Sequence, residues 1–193
     1  MQTKVSLAEY IRTYLYTQAW LICRQTDTIL KADLWNEEKG EVPLELPGKI
    51  FNVEFSYLRT LKAKAPRKIC GNIRALPFRD NTFDVALDLS TIDHQAAYGA
   101  FLTEYHRVLK PGGKILVASW LTEGTIYTTT EIACDQWVFD DKDFTQEVLR
   151  YFPDAKSHIF VDKEMAKAIW AGSVTNMDGV YMKVFIGSKC VSC

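Results

Sequence analysis

No apolar run in the 193-residue sequence approaches the roughly 18–20 residues a membrane-spanning helix needs. The first twenty residues, MQTKVSLAEYIRTYLYTQAW, carry charges and tyrosines at helical spacing and no signal-peptide core. The expectation is therefore a soluble, cytoplasmic protein. No basic block stands out and the net charge is −1, which argues against a large phosphate-neutralising surface and so against nucleic acid as a bulk partner. Arg59, Lys62, Lys64, Arg67 and Lys68 do cluster near an expected helix end, where a solvated cationic face beside the helix C-terminus is the simpler reading. A G-x-S-x-G elbow is absent, which disfavours a serine hydrolase. The three histidines, His94, His106 and His158, have no metal-ligand spacing, so no metal site is expected. Cys190 and Cys193 form a lone C-x-x-C, half a metal site at best, and Cys190-Val191-Ser192-Cys193 fits a loose prenylation pattern without an upstream polybasic segment; a frayed tail is the plainer account. Cys23, Cys70 and Cys134 are far apart and read as reduced thiols.

What is present is an ordinary globular balance, 48% apolar and 24% charged, in a length that suits one domain spanning residues 1–193. An N-terminal helix is expected over residues 6–24, with Ser6 and Glu9 as a capping box. Strands are expected over 28–34, 49–55, 68–71, 82–89 and 114–119, with helices over 56–65 and 97–109 between them. Ser56 is placed to cap the first of these helices, and Pro111-Gly112-Gly113 to end the second. The run Thr82–Leu89 is nearly all apolar, as in a parallel strand buried on both faces. Beyond Trp120 the pattern loosens: 122–130 reads as polar turn, 141–152 and 163–171 as helices, 157–161 and 180–186 as strands. Alternating strands and helices without a repeat or linker imply a three-layer, doubly wound α/β domain with a mostly parallel sheet and an antiparallel last strand. Residues 1–25 would form the N-terminal helix, 26–120 a cofactor-binding half and 121–193 a substrate-side half.

In such a sheet, ligands bind outside the carboxyl ends of the strands, where strand order reverses. The side chains to weigh are therefore those that end the strands. Glu54 closes I-F-N-V-E-F-S, and a carboxylate there can accept both hydroxyls of a ribose. Asn72 and Ile73 follow the third strand in Gly-Asn-Ile-Arg-Ala-Leu-Pro-Phe. Leu89, Ser90, Asp93 and His94 follow the fourth. Asp93 and His94 have the chemistry of a general base or an orienting group, although Asp93 equally suits a helix cap. Glu104 and Arg107, three apart on one helical face, read as structural partners.

The segments Leu76-Pro77-Phe78, Phe83-Asp84-Val85 and Glu104-x-x-Arg107-Val108-Leu109-Lys110-Pro111-Gly112-Gly113 resemble a class I S-adenosylmethionine-dependent methyltransferase, of the small type 11 kind. The resemblance runs from about Ile29 to Ser119. It implies S-adenosylmethionine as cofactor, Glu54 on the ribose, and Asn72 with Ile73 at the adenine. It also implies that the family's G-x-G-x-G loop follows the first strand. Here Ile-Leu-Lys-Ala-Asp-Leu-Trp-Asn-Glu stands in its place, residues 29–37, with no glycine. In that variant loop Asp33 or Glu37 would meet the methionine ammonium and Lys31 its carboxylate, unless Trp35 closes the pocket. Leu89 and Ser90 would complete the cofactor contacts, and Asp93 and His94 would face the acceptor. Trp120, Tyr127 and Trp137 would help form an acceptor pocket or belong to the core. The function implied is methyl transfer to a small-molecule acceptor; the alternative is a catalytically inactive methyltransferase-like binding or scaffold protein. Neither nucleic acid nor membrane is expected as a partner, and a homodimer is left open.

Overall fold

β4 (Phe83–Leu89) is buried along almost its whole length because two helical layers cover it. In this computed structural model, residues 7–32, 45–124, 127–129, 136–169 and 179–191 are described. The expectations for Ser6, Asp33, Trp35, Glu37, Cys134 and Cys193 fall outside them.

The elements run α1 (Leu7–Ile22), β1 (Thr28–Ala32), β2 (Lys49–Glu54), α2 (Tyr57–Lys62), β3 (Lys68–Cys70), β4, a 3-10 turn (Ile92–His94), α3 (Tyr98–Val108), β5 (Leu109–Thr122), β6 (Tyr127–Thr129), β7 (Gln136–Asp140), α4 (Asp141–Tyr151), β8 (Lys156–Val161), α5 (Lys163–Ile169) and β9 (Tyr181–Ser188). The sheet order is β3-β2-β1-β4-β5-β7-β6, with β9 also paired to β5 and β8 to β9. β3, β2, β1, β4 and β5 are parallel to one another. β9 runs antiparallel to β5, from Lys114↔Ser188 to Leu121↔Tyr181. This is the doubly wound, mostly parallel α/β sheet with an antiparallel last strand that the sequence pattern implies. Strand order reverses between β1 and β4, so a ligand crevice is expected at the carboxyl ends of these strands.

Neighbouring strand residues alternate between the two faces. Leu30, Ala86 and Ile115 join one core with Phe101, Leu102 and Tyr105 of α3 and Phe144 and Val148 of α4. Ile29, Val85, Leu87 and Leu116 join the other with Ile11, Leu15 and Ala19 of α1 and Ala166 of α5. Burial on both sides explains why β4 reads as a continuous apolar run rather than an alternating one. Ser56 caps α2 as its position implies, its side chain accepting from the Arg59 N–H at 3.3 Å. Cys23 is buried, and burial pushes its thiol up to about 12. Cys23 is expected to resist alkylation at pH 8 in the folded protein while exposed Cys70 reacts; peptide mapping after iodoacetamide treatment checks this.

Two segments differ from their sequence pattern. Pro111-Gly112-Gly113 follows the end of α3 but does not interrupt the sheet, because β5 already starts at Leu109. Gly112, at φ +76°, donates its N–H to the Lys189 carbonyl at 2.8 Å, and the Lys189 N–H returns to Gly113 at 2.9 Å. The chain's final segment thus holds the irregular start of β5. The polar stretch after Trp120 contributes β6, which pairs with β7 from Tyr127↔Val138 to Thr129↔Gln136. Trp120 itself is buried in the core on the α1 side of the sheet.

Candidate functional site

The reversal of strand order leaves a cavity of about 430 Å³ over the carboxyl ends of the sheet. That volume lies within the usual range for small-molecule sites. Val53, Glu54, Phe55, Ser56 and Arg59 form the wall from β2 and the start of α2. Asn72, Ile73 and Arg74 come from the loop after β3, and Thr91, His94 and Gln95 from the segment after β4. Phe101 of α3 closes the apolar side.

Each wall is held by local hydrogen bonding. Glu54 is 4% exposed, and one carboxylate oxygen accepts the Ser56 N–H at 2.8 Å. Its other oxygen lies 3.6 Å from the half-exposed Arg59 guanidinium, which balances the charge at the cavity wall. The Gly71 N–H donates to the Glu54 carbonyl at 2.9 Å, tying the loop after β3 to the end of β2. In that loop the Asn72 side-chain carbonyl accepts the Arg74 N–H at 2.9 Å, and its backbone carbonyl accepts the Ala75 N–H at 2.9 Å. Asn72 therefore shapes the turn. An amide oxygen has two lone pairs, so this acceptance leaves room for a second donor. Ile73 is buried against the core at 6% exposure and presents an apolar wall.

The loop is clamped from beneath by α3. Arg107 grips Glu104 through two parallel hydrogen bonds, 2.7 and 2.8 Å, and also donates to the carbonyls of Phe78 and Leu76 and to Asp80. Glu104 in turn accepts the Leu76 N–H at 2.6 Å. The structural partnership expected of Glu104 and Arg107 is present, and its target is the loop that carries Asn72 and Ile73. Hydrogen bonding to Arg107 holds the Glu104 carboxyl below its ordinary value. Its contribution to stability is thus complete above the unfolded carboxyl pKa of about 4.3 and is lost as pH falls through the lower folded value. Replacing Glu104 by Ala is expected to cost about 2–3 kcal/mol at neutral pH, and less in acid where the carboxyl is protonated, as measured by urea unfolding.

The segment after β4 is organised by a residue that sequence reasoning passed over. Asp88 is fully buried and accepts the N–H groups of Thr91 and Ile92 at 2.7 and 3.0 Å and the Tyr105 hydroxyl at 2.6 Å. A carboxylate inside an apolar strand was the available signal. Ser90, next along, is held at φ +75°, a conformation that costs a non-glycine residue of order 1–2 kcal/mol. Its hydroxyl donates to Asp93 at 2.6 Å, which secures the turn.

The structure brings Glu54, Asn72, Ile73 and His94 together around one cavity. Leu89, Ser90 and Asp93 lie behind it: Leu89 and Asp93 are buried, and Asp93 reaches the cavity through His94, whose Nε2 is 3.9 Å from its carboxylate. Lys31, 1% exposed on β1, is outside the lining. Phe55, Arg59, Thr91, Gln95 and Phe101 line the cavity without having been singled out from the sequence. Arg59 carried the clearest signal, since it sits one helical turn beyond the end of β2. Among the described residues no group of three or more His, Cys, Asp or Glu is placed to hold a metal ion.

A family model described as a methyltransferase domain matches residues 42–117, the stretch that builds β2 through most of β5 and supplies nearly the whole cavity wall. Residues 42–117 therefore match the methyltransferase-domain family. Across 89 residues it is 33% identical to a demethylmenaquinone methyltransferase of Bacillus cereus, which is 46% of this chain and 38% of that protein. The chain spans between 26% and 38% of the length of the first curated relatives it matches. Among solved structures, the fold is similar to that of the cyclase SpnF, with a TM-score of 0.71 at 15% identity over 96% of this chain and 82% of the other. It is also similar to the 1,6-didemethyltoxoflavin-N1-methyltransferase of Burkholderia thailandensis, a structure containing S-adenosylhomocysteine, with a TM-score of 0.63 at 17% identity over 97% and 80% of the two chains. At those identities the likeness is one of fold. Among the described residues no helix is long and apolar enough to cross a membrane.

Proposed function

We infer that this chain binds S-adenosylmethionine and transfers its methyl group to a small-molecule acceptor. The observation that carries the reading is the buried Glu54 carboxylate at the end of β2, at a cavity that Asn72 and Ile73 also line. These residues fit the adenosine end of the cofactor: a carboxylate for paired hydroxyls, an amide oxygen for an amino group, and Ile73 with Phe101 for an aromatic ring. When bound, the cofactor supplies an electrophilic methyl group on a sulfonium sulfur.

The chain's own residues then act mainly by positioning. In-line alignment of donor and acceptor supplies most of the acceleration for such a displacement, so holding the adenosine end rigidly matters more than proton removal. Glu54 would hold the ribose hydroxyls, with Arg59 balancing its charge. Ile73 and Phe101 line the cavity and would pack on the ring, excluding water from it. His94 lines the cavity with its Nε2 3.9 Å from the Asp93 carboxylate, and would be the group to take a proton from an acceptor hydroxyl or amine.

Incubation of the purified protein with S-adenosylmethionine and a fractionated cell extract tests the reading. S-adenosylhomocysteine is expected to form only when the low-molecular-weight fraction is added. Formation with the macromolecular fraction alone, or with neither fraction, would contradict it. The second reading, a binding protein without turnover, is favoured by one observation: residues 29–37 hold no glycine where backbone approach to the cofactor is needed. The similar fold of a protein described as a cyclase also illustrates that this architecture carries more than one chemistry. Cofactor binding without product in any fraction is the outcome that reading expects.

A further inference from the structure

From Phe55 to Arg79 the sequence has seven basic side chains, Arg59, Lys62, Lys64, Arg67, Lys68, Arg74 and Arg79, and no Asp or Glu. The rest of the chain carries 16 basic against 24 acidic residues, a net of −8. The overall charge of −1 therefore conceals one strongly cationic stretch in an acidic protein. The same stretch concentrates exposed apolar surface. Phe55, Tyr57, Leu58 and Leu61 are 73%, 64%, 65% and 57% exposed, and α2 buries only Thr60. Lys68 folds back to cap α2, donating to the carbonyls of Leu61 and Ala63. Among the described residues, the Lys62, Lys64 and Arg67 side chains form no ion pair and extend into solvent.

We propose that α2 and the turn into β3 form a docking surface for an anionic phospholipid bilayer, with Tyr57, Leu58 and Leu61 entering the interface and Lys62, Lys64 and Arg67 at the headgroups. The chemistry on the surface selects this occupant. A run of uncompensated cations is complementary to anionic headgroups, each basic residue near such a surface adding attraction. Aliphatic side chains projecting from a helix beside those cations match the interfacial binding mode. Nucleic acid would use the cations but leave Leu58 and Leu61 in water, and an acidic protein would need a matching apolar groove. Phe55, Ser56 and Arg59 belong both to this face and to the cavity wall, so docking places the cavity rim at the lipid surface. The side chains proposed to touch lipid, Tyr57, Leu58, Leu61, Lys62, Lys64 and Arg67, do not line the cavity, and vesicle binding is read without cofactor.

Vesicle co-sedimentation of the full chain tests the proposal, comparing phosphatidylcholine vesicles with vesicles containing about 30% phosphatidylserine. Partitioning onto the anionic vesicles is expected to be at least about tenfold stronger and to fall when salt is raised from about 0.1 to about 0.5 M. The Lys62→Glu/Lys64→Glu/Arg67→Glu variant is expected to lose about 100-fold in partitioning, and Leu58→Ser/Leu61→Ser about tenfold. None of these five residues lines the cavity, so both variants should keep the wild-type thermal midpoint and the wild-type affinity for S-adenosylhomocysteine. Equal binding to neutral and anionic vesicles, no vesicle binding, or retention of binding in both variants would overturn the proposal. So would binding to polyglutamate or RNA in the absence of vesicle binding.

Discussion

Replacing Glu54 by Ala is expected to weaken S-adenosylhomocysteine binding about 30- to 100-fold, equivalent to roughly 2–3 kcal/mol. Hydrogen bonds to a charged acceptor are the strong ones, and the Glu54 carboxylate can receive two hydroxyls from a buried position. Glu54→Gln keeps the side-chain volume and one acceptor oxygen but loses the charge, so an intermediate loss of about tenfold is expected. The effect on folding is smaller. The Ser56 N–H loses its acceptor at the start of α2, and Arg59 loses its counter-ion at 3.6 Å, together about 1 kcal/mol. Calorimetric titration alongside urea unfolding separates the two. Wild-type affinity in the Ala variant would remove Glu54 from the site altogether.

The largest loss of stability is expected at Asp88. Its carboxylate satisfies two buried backbone N–H groups and the fully buried Tyr105 hydroxyl. Asp88→Ala leaves all three donors without acceptors and opens a gap between β4 and α3, a cost of about 3–5 kcal/mol. Tyr105→Phe removes one donor and leaves the two backbone contacts, so about 1–3 kcal/mol is expected. Because Asp88 bonds directly to the turn that carries Thr91 and leads to His94, the Ala variant should also bind ligand more weakly. Tyr105→Phe should leave affinity nearly unchanged. Urea midpoints for both single variants and the double variant measure the coupling. A loss at Asp88 of under about 1 kcal/mol would show that these hydrogen bonds are replaced by water in the folded protein.

The parallel core strands and the helices between them were legible because each announces itself locally. Ser56 sits at the start of α2, and the Phe83–Leu89 run has the composition of a strand covered on both faces. Glu54, Asn72 and Ile73 were legible for a related reason: the ends of parallel strands are where ligands meet an α/β sheet, so position alone singles out their side chains. Asp88 was hidden by its neighbours, since one carboxylate in an apolar strand looks like pattern noise until α3 supplies Tyr105 from 17 residues away. β6 and β7 depend on pairing with each other across polar sequence, and the early start of β5 depends on Lys189, far along the chain. Such contacts are invisible to any local window. The basic cluster from Arg59 to Lys68 was legible but read as an ordinary solvated helix face, because only the fold shows that Phe55, Tyr57, Leu58 and Leu61 are exposed beside it.

The central claim is that the cavity between Glu54, Asn72, Ile73 and Phe101 is an adenosine site, independent of how the loop after β1 treats the methionine end. Calorimetric titration with free adenosine, alongside S-adenosylhomocysteine, tests it most directly. Adenosine alone is predicted to bind the wild-type protein, to compete with S-adenosylhomocysteine, and to lose affinity in the Glu54→Ala variant. Absence of heat with either compound at millimolar concentration, or adenosine binding of equal strength in Glu54→Ala, would contradict the account.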